Sequence, residues 1–370
     1  MRALVFQNAP APYRTPLFRA LDKKFDLMVL YAVRSTGDRL WHPEEGGYSH
    51  HYLEGLNLRL KGKTLTWARG LRPFLKEREF DVYYLSDDWR CVVSSLTLAR
   101  HVRKAGKKAV LWCGGIDTPY RRRVMIPRPA MRAYVAAMGR IAARVDAFLA
   151  YGPKTIDYFQ RQFGIRRELC RWGTQAAEME PGAIVPDKKD APSTVNFLFL
   201  GYLERRKGLQ DAIRAVRRLS RFDIKLTIAG RGKDEHIFRD LAGSDPRIEF
   251  VGYVEGDAKR DCLLRADVMV SPTYHDPWAN TINEACLHGL PVITTPAEGA
   301  EGTLAVDGYN AVVVPPGDVS RLAEALAFFL EHKERIAVLG RNSQSLASKF
   351  DFAWAVSNFV DAANLALGRD

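Results

Sequence analysis

Ser271-Pro272-Thr273-Tyr274-His275-Asp276-Pro277-Trp278-Ala279-Asn280-Thr281-Ile282-Asn283-Glu284-Ala285-Cys286-Leu287-His288-Gly289-Leu290-Pro291-Val292-Ile293 is the stretch on which the reading of this chain turns. It leaves an apolar run, crosses a short polar loop and enters a helix near Asn280. Gly289 ends that helix, and the next strand opens with Pro291. Amides that open a helix have no partner within it and carry the positive end of its dipole. Those of Ala279, Asn280 and Thr281 are therefore placed to bind phosphate. Glu284 stands about one turn further on, where its carboxylate can accept two hydrogen bonds from ribose hydroxyls. Asp276 precedes the helix, nearer a reacting sugar. By spacing alone, an Asp276 that caps the helix and a Glu284 on its surface fit equally well.

Outward from this stretch the chain alternates short apolar runs with amphipathic ones, the rhythm of repeated β-α units and parallel sheets. In the first half strands are expected at 3–7, 26–31, 82–85, 109–112 and 147–150. Helices are expected there at 16–22, 64–77, 89–104 and 153–163. Residues 34–60 fit neither pattern, and Gly46-Gly47 with three histidines points to a long loop or hairpin. The polar, proline-punctuated stretch 178–193 reads as a linker. A second series follows, with strands at 196–200, 226–229, 248–251, 268–271 and 291–294. Its helices are 208–220, 257–265, 280–288, 320–331 and 333–346, before a last helix at 352–367. Two such series imply an α/β protein of two Rossmann-like, doubly wound domains facing across a cleft. The expected division is 1–180 and 181–351, with 352–370 completing the first domain.

The 370 residues are 47% hydrophobic, enough for a substantial core. Five scattered cysteines, none at metal-ligand or redox spacing, favour reduced thiols in a cytoplasmic setting. The N-terminal apolar run is too short for a signal peptide, and no stretch reaches the ~20 apolar residues of a membrane span. The net charge of +12 favours anionic partners such as nucleotides, lipid headgroups or nucleic acid, without choosing among them. His42, His50 and His51 lie in loop sequence without a cluster, which argues against a metal site.

Residues 271–293 resemble the signature of glycosyltransferase family 4: an acidic residue, seven residues, a glutamate, then Ala and a Gly-Leu-Pro-Val-Ile strand entry. Neighbouring blocks keep that family's order. Residues 197–209, with Gly201-Tyr202-Leu203-Glu204-Arg205-Arg206-Lys207-Gly208, resemble its first C-terminal strand and phosphate loop. Residues 226–232, 248–254 and 307–314 resemble its second strand, its base-binding strand and loop, and the block after the signature. The resemblance implies a GT-B fold, a sugar-nucleotide donor, retention of anomeric configuration and no essential metal or other cofactor. It places Lys207 on the diphosphate, Asp276 on the donor sugar, Glu284 on the ribose, and the backbone of Gly252 and Tyr253 at the base. Three positions depart from the pattern. Tyr202 stands where the family has arginine, a charge that Arg205 or Arg206 could supply, with a surface role for either as an equal alternative. Asp276 replaces glutamate, and Ala279 replaces glycine.

The first half carries the acceptor side. After the first strand, Asn8-Ala9-Pro10-Ala11-Pro12-Tyr13-Arg14-Thr15-Pro16 lacks the paired glycines of many relatives and resembles a branch with a proline-Tyr-Arg loop. Arg14 is placed to touch phosphate or acceptor, with a salt bridge beside a rigid turn as an equal alternative. Cys113-Gly114-Gly115-Ile116-Asp117 stands where many relatives carry a histidine, so no general base is expected there. Gly114 and Asp117 join the acceptor candidates, as do Asp87 and Asp88. For Asp88 the favoured alternative is a cap on the next helix. In a retaining front-face mechanism the departing diphosphate takes the acceptor's proton, and the protein positions and stabilises charge. Residues 121–144 contain seven arginines and no acid, with Met125, Ile126, Met131 and Val135 interleaved. An anionic-lipid surface and a solvated helix face fit that stretch equally.

The expectation is a cytoplasmic glycosyltransferase, peripheral at the inner membrane face in one form of it. The donor is UDP-sugar by default, with GDP-sugar as the alternative, and the acceptor a glycan or lipid-linked molecule. The rivals are transfer to a nucleobase or nucleic acid, sugar-nucleotide epimerisation, and a non-catalytic binding module.

Overall fold

The computed structural model describes residues 1–35, 46–60, 63–121, 128–177 and 192–369. These form two compact units. One comprises Met1–Asp117, Arg122–Ala176 and Phe352–Asp370; the other comprises Thr118–Arg121 and Ala177–Asp351. The expected linker at 178–193 falls almost wholly outside the described residues.

The first unit runs β1 (Arg2–Gln7), α1 (Thr15–Asp22), β2 (Asp26–Tyr31), β3 (His50–Tyr52), β4 (Gly55–Leu60), β5 (Lys63–Ala68) and α2 (Leu71–Glu77). It continues with β6 (Val82–Ser86), α3 (Val92–Lys104), β7 (Lys108–Cys113), α4 (Arg128–Ala142), β8 (Ala147–Ala150), α5 (Pro153–Phe163) and β9 (Cys170–Trp172). Seven strands form one sheet in the order β3-β2-β1-β6-β7-β8-β9, each pair parallel. Such a sheet is covered on both faces, so its strands are apolar throughout rather than alternating. In β1, Leu4 and Phe6 pack with Phe74, Leu98 and Met138 on one face. Ala3 and Val5 pack on the other with Leu17, Phe18 and Phe359. Phe359 belongs to the last helix of the chain.

The second unit runs β10 (Val195–Leu200), α6 (Leu209–Arg218), β11 (Ile224–Ala229), α7 (Glu235–Ala242), β12 (Ile248–Gly252), α8 (Gly256–Arg265) and β13 (Val268–Val270). It continues with α9 (Asn280–Leu287), β14 (Val292–Thr294), β15 (Ala311–Val313), α10 (Val319–Glu331) and α11 (Glu334–Ala347). Its parallel sheet has the order β12-β11-β10-β13-β14-β15, around a core that includes Phe197, Ile213, Phe238 and Phe329. The last helix, α12 (Phe352–Leu367), returns to the first unit. There Ala355, Val356, Phe359, Ala362, Ala363 and Ala366 are buried, and the Tyr84 hydroxyl donates to the Phe359 carbonyl at 2.6 Å.

One expectation is corrected. Residues 64–77 are not one helix. Thr64–Ala68 belongs to β5, which pairs antiparallel with β4, and α2 begins only at Leu71. Leu65, Trp67, Leu71 and Leu75 mimic a helical stripe, but Thr64 and Thr66 are β-branched and Gly70 breaks the run. Residues 121–144, read equally as an anionic-lipid surface or a solvated helix face, contain α4. Met131 and Val135 pack against the core beside Tyr134, Met138 and Ile141. Arg132 and Arg140 face outward. The apolar residues of α4 therefore serve the fold and leave a basic, solvated outer face. Arg122, Arg123, Met125 and Ile126 lie outside the described residues, as does His42. All five cysteines are free thiols. Among the described residues no helix is long and apolar enough to cross a membrane.

Candidate functional site

In an open parallel sheet, ligands bind beyond the carboxyl ends of the strands where the strand order reverses. In the second sheet that point lies between β10 and β13. Lys207 comes from the segment after β10 and Asp276 from the segment after β13. They meet there: the Lys207 ammonium donates to Asp276 Oδ2, and the Arg206 guanidinium lies 3.8 Å from the same oxygen. Lys207 ends a short 3-10 turn, and Gly208 follows with φ of 78°. A Cβ on Gly208 would stand 1.9 Å from the Pro272 carbonyl oxygen, so only glycine lets the lysine loop lie against the strand that feeds Asp276.

Asp276 is buried, and its other oxygen accepts from the Trp278 amide at 3.2 Å. Burial acts to raise its carboxyl, but Lys207 and Arg206 outweigh that and hold it below the usual range. Arg206 also donates to Glu204 at 2.9 Å and to the His275 carbonyl at 3.2 Å. Arg205 is exposed, its backbone amide bonded to Asp234. Of the two arginines weighed as replacements for the charge missing at Tyr202, the structure brings Arg206 to Asp276 and leaves Arg205 apart. A hydrogen bond of 2.9 Å joins Thr118 Oγ1 and Nδ1 of the His275 ring. Burial first, then the nearby Arg121, Arg206 and Lys207, lower its pKa to about 4, against the pull of Asp276.

The start of α9 differs in part from expectation. The Ala279 amide is not open for phosphate: it donates to Glu298 Oε1 at 2.8 Å. No acceptor is recorded among the described residues for the Asn280 and Thr281 amides, and the side-chain oxygen of Asn280 is buried without a partner. Glu284 sits one turn along and receives Lys259 Nζ at 2.7 Å. Gly252 ends β12 with φ of 80°, and the exposed Tyr253 donates its hydroxyl to Glu255 at 3.0 Å. Glu298 itself, fully buried beside Asp276, was missed. Its one signal was an acidic residue within Pro296-Ala297-Glu298-Gly299, just past the carboxyl end of a strand.

The first sheet reverses order between β1 and β6, and its polar residues gather there too. Arg14 donates to Gln7 and, at 2.7 Å, to the Tyr151 hydroxyl, and lies 4.6 Å from the Trp112 ring centroid. No carboxylate forms a salt bridge with Arg14 among the described residues. Asp88 accepts from the Arg90 amide at 2.9 Å and from Asn8 at 3.1 Å, so it does cap the turn that opens the next helix. Asp87 accepts from the Gly114 and Gly115 amides at 2.9 and 3.0 Å, fixing that loop. A Cβ on Gly114 would meet the Tyr151 ring at 2.4 Å. Asp117 is exposed.

Residues 194–332 match the family model described as glycosyl transferases group 1. The C-terminal part of the chain is a group 1 glycosyltransferase domain. It is 33% identical over 161 residues to a glycogen synthase of Mycobacterium tuberculosis, covering 42% of this chain and 39% of that protein. It is 31% identical over 211 residues to the phosphatidyl-myo-inositol mannosyltransferase of Mycobacterium leprae, covering 53% of this chain and 55% of that protein. The chain thus spans about half or less of the length of these curated relatives. Among solved structures, Anabaena HepE in complex with UDP-glucose superposes with a TM-score of 0.74 at 18% identity, covering 98% of each chain. The two-domain α/β architecture with parallel sheets is that of the GT-B glycosyltransferases.

Proposed function

We propose that this chain is a retaining glycosyltransferase that takes a sugar from a nucleoside diphosphate donor, a UDP-sugar, and delivers it to a glycan or lipid-linked acceptor. The observation that carries the reading is the meeting of Lys207, Arg206 and Asp276 at the switch point of the second sheet, beside the first turn of α9. Two cations and open amides there can neutralise a diphosphate, and Asp276 can hold sugar hydroxyls. The group 1 domain and the GT-B architecture support it, as does the UDP-glucose named in the HepE complex.

In the proposed reaction the bond between the anomeric carbon and the diphosphate oxygen breaks, and the acceptor oxygen bonds to that carbon on the same face. The acceptor's proton passes to the departing diphosphate. Lys207, Arg206 and the amides of Asn280 and Thr281 stabilise the charge that develops on the leaving group. Bound diphosphate competes with Asp276 for Lys207, which frees the carboxylate for the sugar. Glu284, a short reach from α9's start, exchanges Lys259 for ribose hydroxyls. The acceptor approaches the polar group around Arg14. The chain acts in the cytoplasm, and the basic face of α4 is a means of attraction to an anionic membrane.

Release of UDP or GDP across a panel of sugar nucleotides tests the reading. Turnover is expected with one donor and is expected to fall at least about 100-fold in Lys207→Ala, the scale of losing one charge-stabilising group. Full turnover in that variant would overturn it.

A further inference from the structure

Glu298 has no place in the chemistry above, yet it is fully buried beside the Lys207–Asp276 pair. A carboxyl is costly to bury unless its oxygens are bonded. Here Oε1 accepts from two backbone amides, that of Ala279 at 2.8 Å and that of Ala300 at 3.4 Å. The backbone around it is tied to the same loop. The Asp276 amide donates to the Ala297 carbonyl at 3.1 Å, and the Gly299 amide donates to the Asp276 carbonyl at 2.8 Å. A Cβ on Gly299 would stand 1.7 Å from the Pro277 carbonyl oxygen, so the two segments lie in direct contact. Three hydrogen bonds thus pin the loop between Asp276 and α9 at both ends, one of them accepted by a side chain.

We propose that Glu298 is a positioning residue of the donor site, holding the Asp276 loop through the Ala279 amide and setting by its own charge how much of the Lys207 cation remains for a bound diphosphate. The proposal rests on the reading of Lys207 as a diphosphate ligand. Burial first, then the negative charge of Asp276, push the Glu298 carboxyl up to about 8, against the opposing pull of Lys207 and the two amides. Arg206, 3.8 Å from the same Asp276 oxygen as Lys207, and His275 also act on Asp276 electrostatically. Below that pH Glu298 is neutral and still accepts from Ala279. Above it a second carboxylate faces Lys207, and an incoming diphosphate meets repulsion.

UDP and GDP titrated calorimetrically into the full chain between pH 7 and 9.5 provide the test, since a terminal phosphate with its second pKa near ~6 keeps a constant charge there. Affinity of the unaltered chain is expected to fall about tenfold between pH 7 and 9, as a group titrating near 8 loses its proton. Glu298→Gln keeps a neutral acceptor, so its affinity is expected to stay level over that range. Glu298→Ala loses the tie and is expected to bind about tenfold more weakly at pH 7, the scale of a lost buried hydrogen bond. A fall with pH that persists in Glu298→Gln would overturn the proposal while leaving the donor reading intact. So would Glu298→Ala binding like the unaltered chain. Should Glu298→Ala fail to fold, the Glu298→Gln profile decides. Absence of binding by the unaltered chain to both nucleotides would instead overturn the donor reading and this proposal with it.

Discussion

Arg205 and Arg206 are adjacent in sequence and equal in charge, and geometry separates them. Arg206 reaches Glu204, the His275 carbonyl and the neighbourhood of Asp276, while Arg205 points to solvent. Arg206→Ala is expected to weaken UDP binding about tenfold or more, as charge-assisted hydrogen bonds to an anion do. Arg205→Ala is expected to stay within about twofold, the usual range for an exposed side chain. Isothermal titration of both variants checks this. His275 makes a stability prediction. Its folded pKa lies near 4, below the ordinary histidine value, so the unfolded chain binds more protons between those values. Stability is expected to fall as pH drops from about 6.5 toward about 4, and the fall to shrink in His275→Gln. Urea unfolding at pH 7, 5.5 and 4.5 measures it. Spacing along a strand-loop-helix unit singled out Asp276 and Glu284 but left a cap and a surface residue equally open, and Lys207 entered only through the resemblance to glycosyltransferase family 4. Glu298 was not legible. Its importance comes from the parallel bridge between Asp276 and Glu298, a contact that no periodicity encodes.

At the scale of elements, the lysine loop depends on how closely β10's exit approaches β13's exit. Gly208 combines a left-handed φ of 78° with a Cβ position 1.9 Å from the Pro272 carbonyl. Gly208→Ala is expected to shift Lys207 away from Asp276 and lower UDP affinity at least about tenfold, a strain of a few kcal/mol being felt locally. Helical content by circular dichroism should hardly change. An unaltered affinity would show that the approach is not required. The parallel strands were legible as near-continuous apolar runs, because both faces of each sheet are covered. The β4–β5 hairpin was not. Its β5 residues also satisfy a helical spacing, and pairing such as Leu56 with Trp67 is decided between strands rather than along the chain. Helix α4 was hidden by its arginines, whose alternation with core-facing Met131, Tyr134 and Met138 is visible only once the inner face is known.

At the scale of the whole molecule, the chain builds two sheets of one kind, and each gathers its polar residues where its strand order reverses. The last helix leaves the second unit and completes the first, burying Phe359 and four alanines against β6, β7 and β8. Ending the chain at residue 351 is expected to destabilise the first unit while the group 1 domain keeps its own cooperative transition, which thermal unfolding followed by tryptophan fluorescence would resolve. The most direct test of the central claim is a crystal structure with UDP or GDP bound. The diphosphate is expected within hydrogen-bonding distance, about 3 Å, of Lys207 Nζ and of the Asn280 or Thr281 amide, with the Lys207–Asp276 contact opened. Nucleotide bound elsewhere, with Lys207 still closed on Asp276, would contradict it.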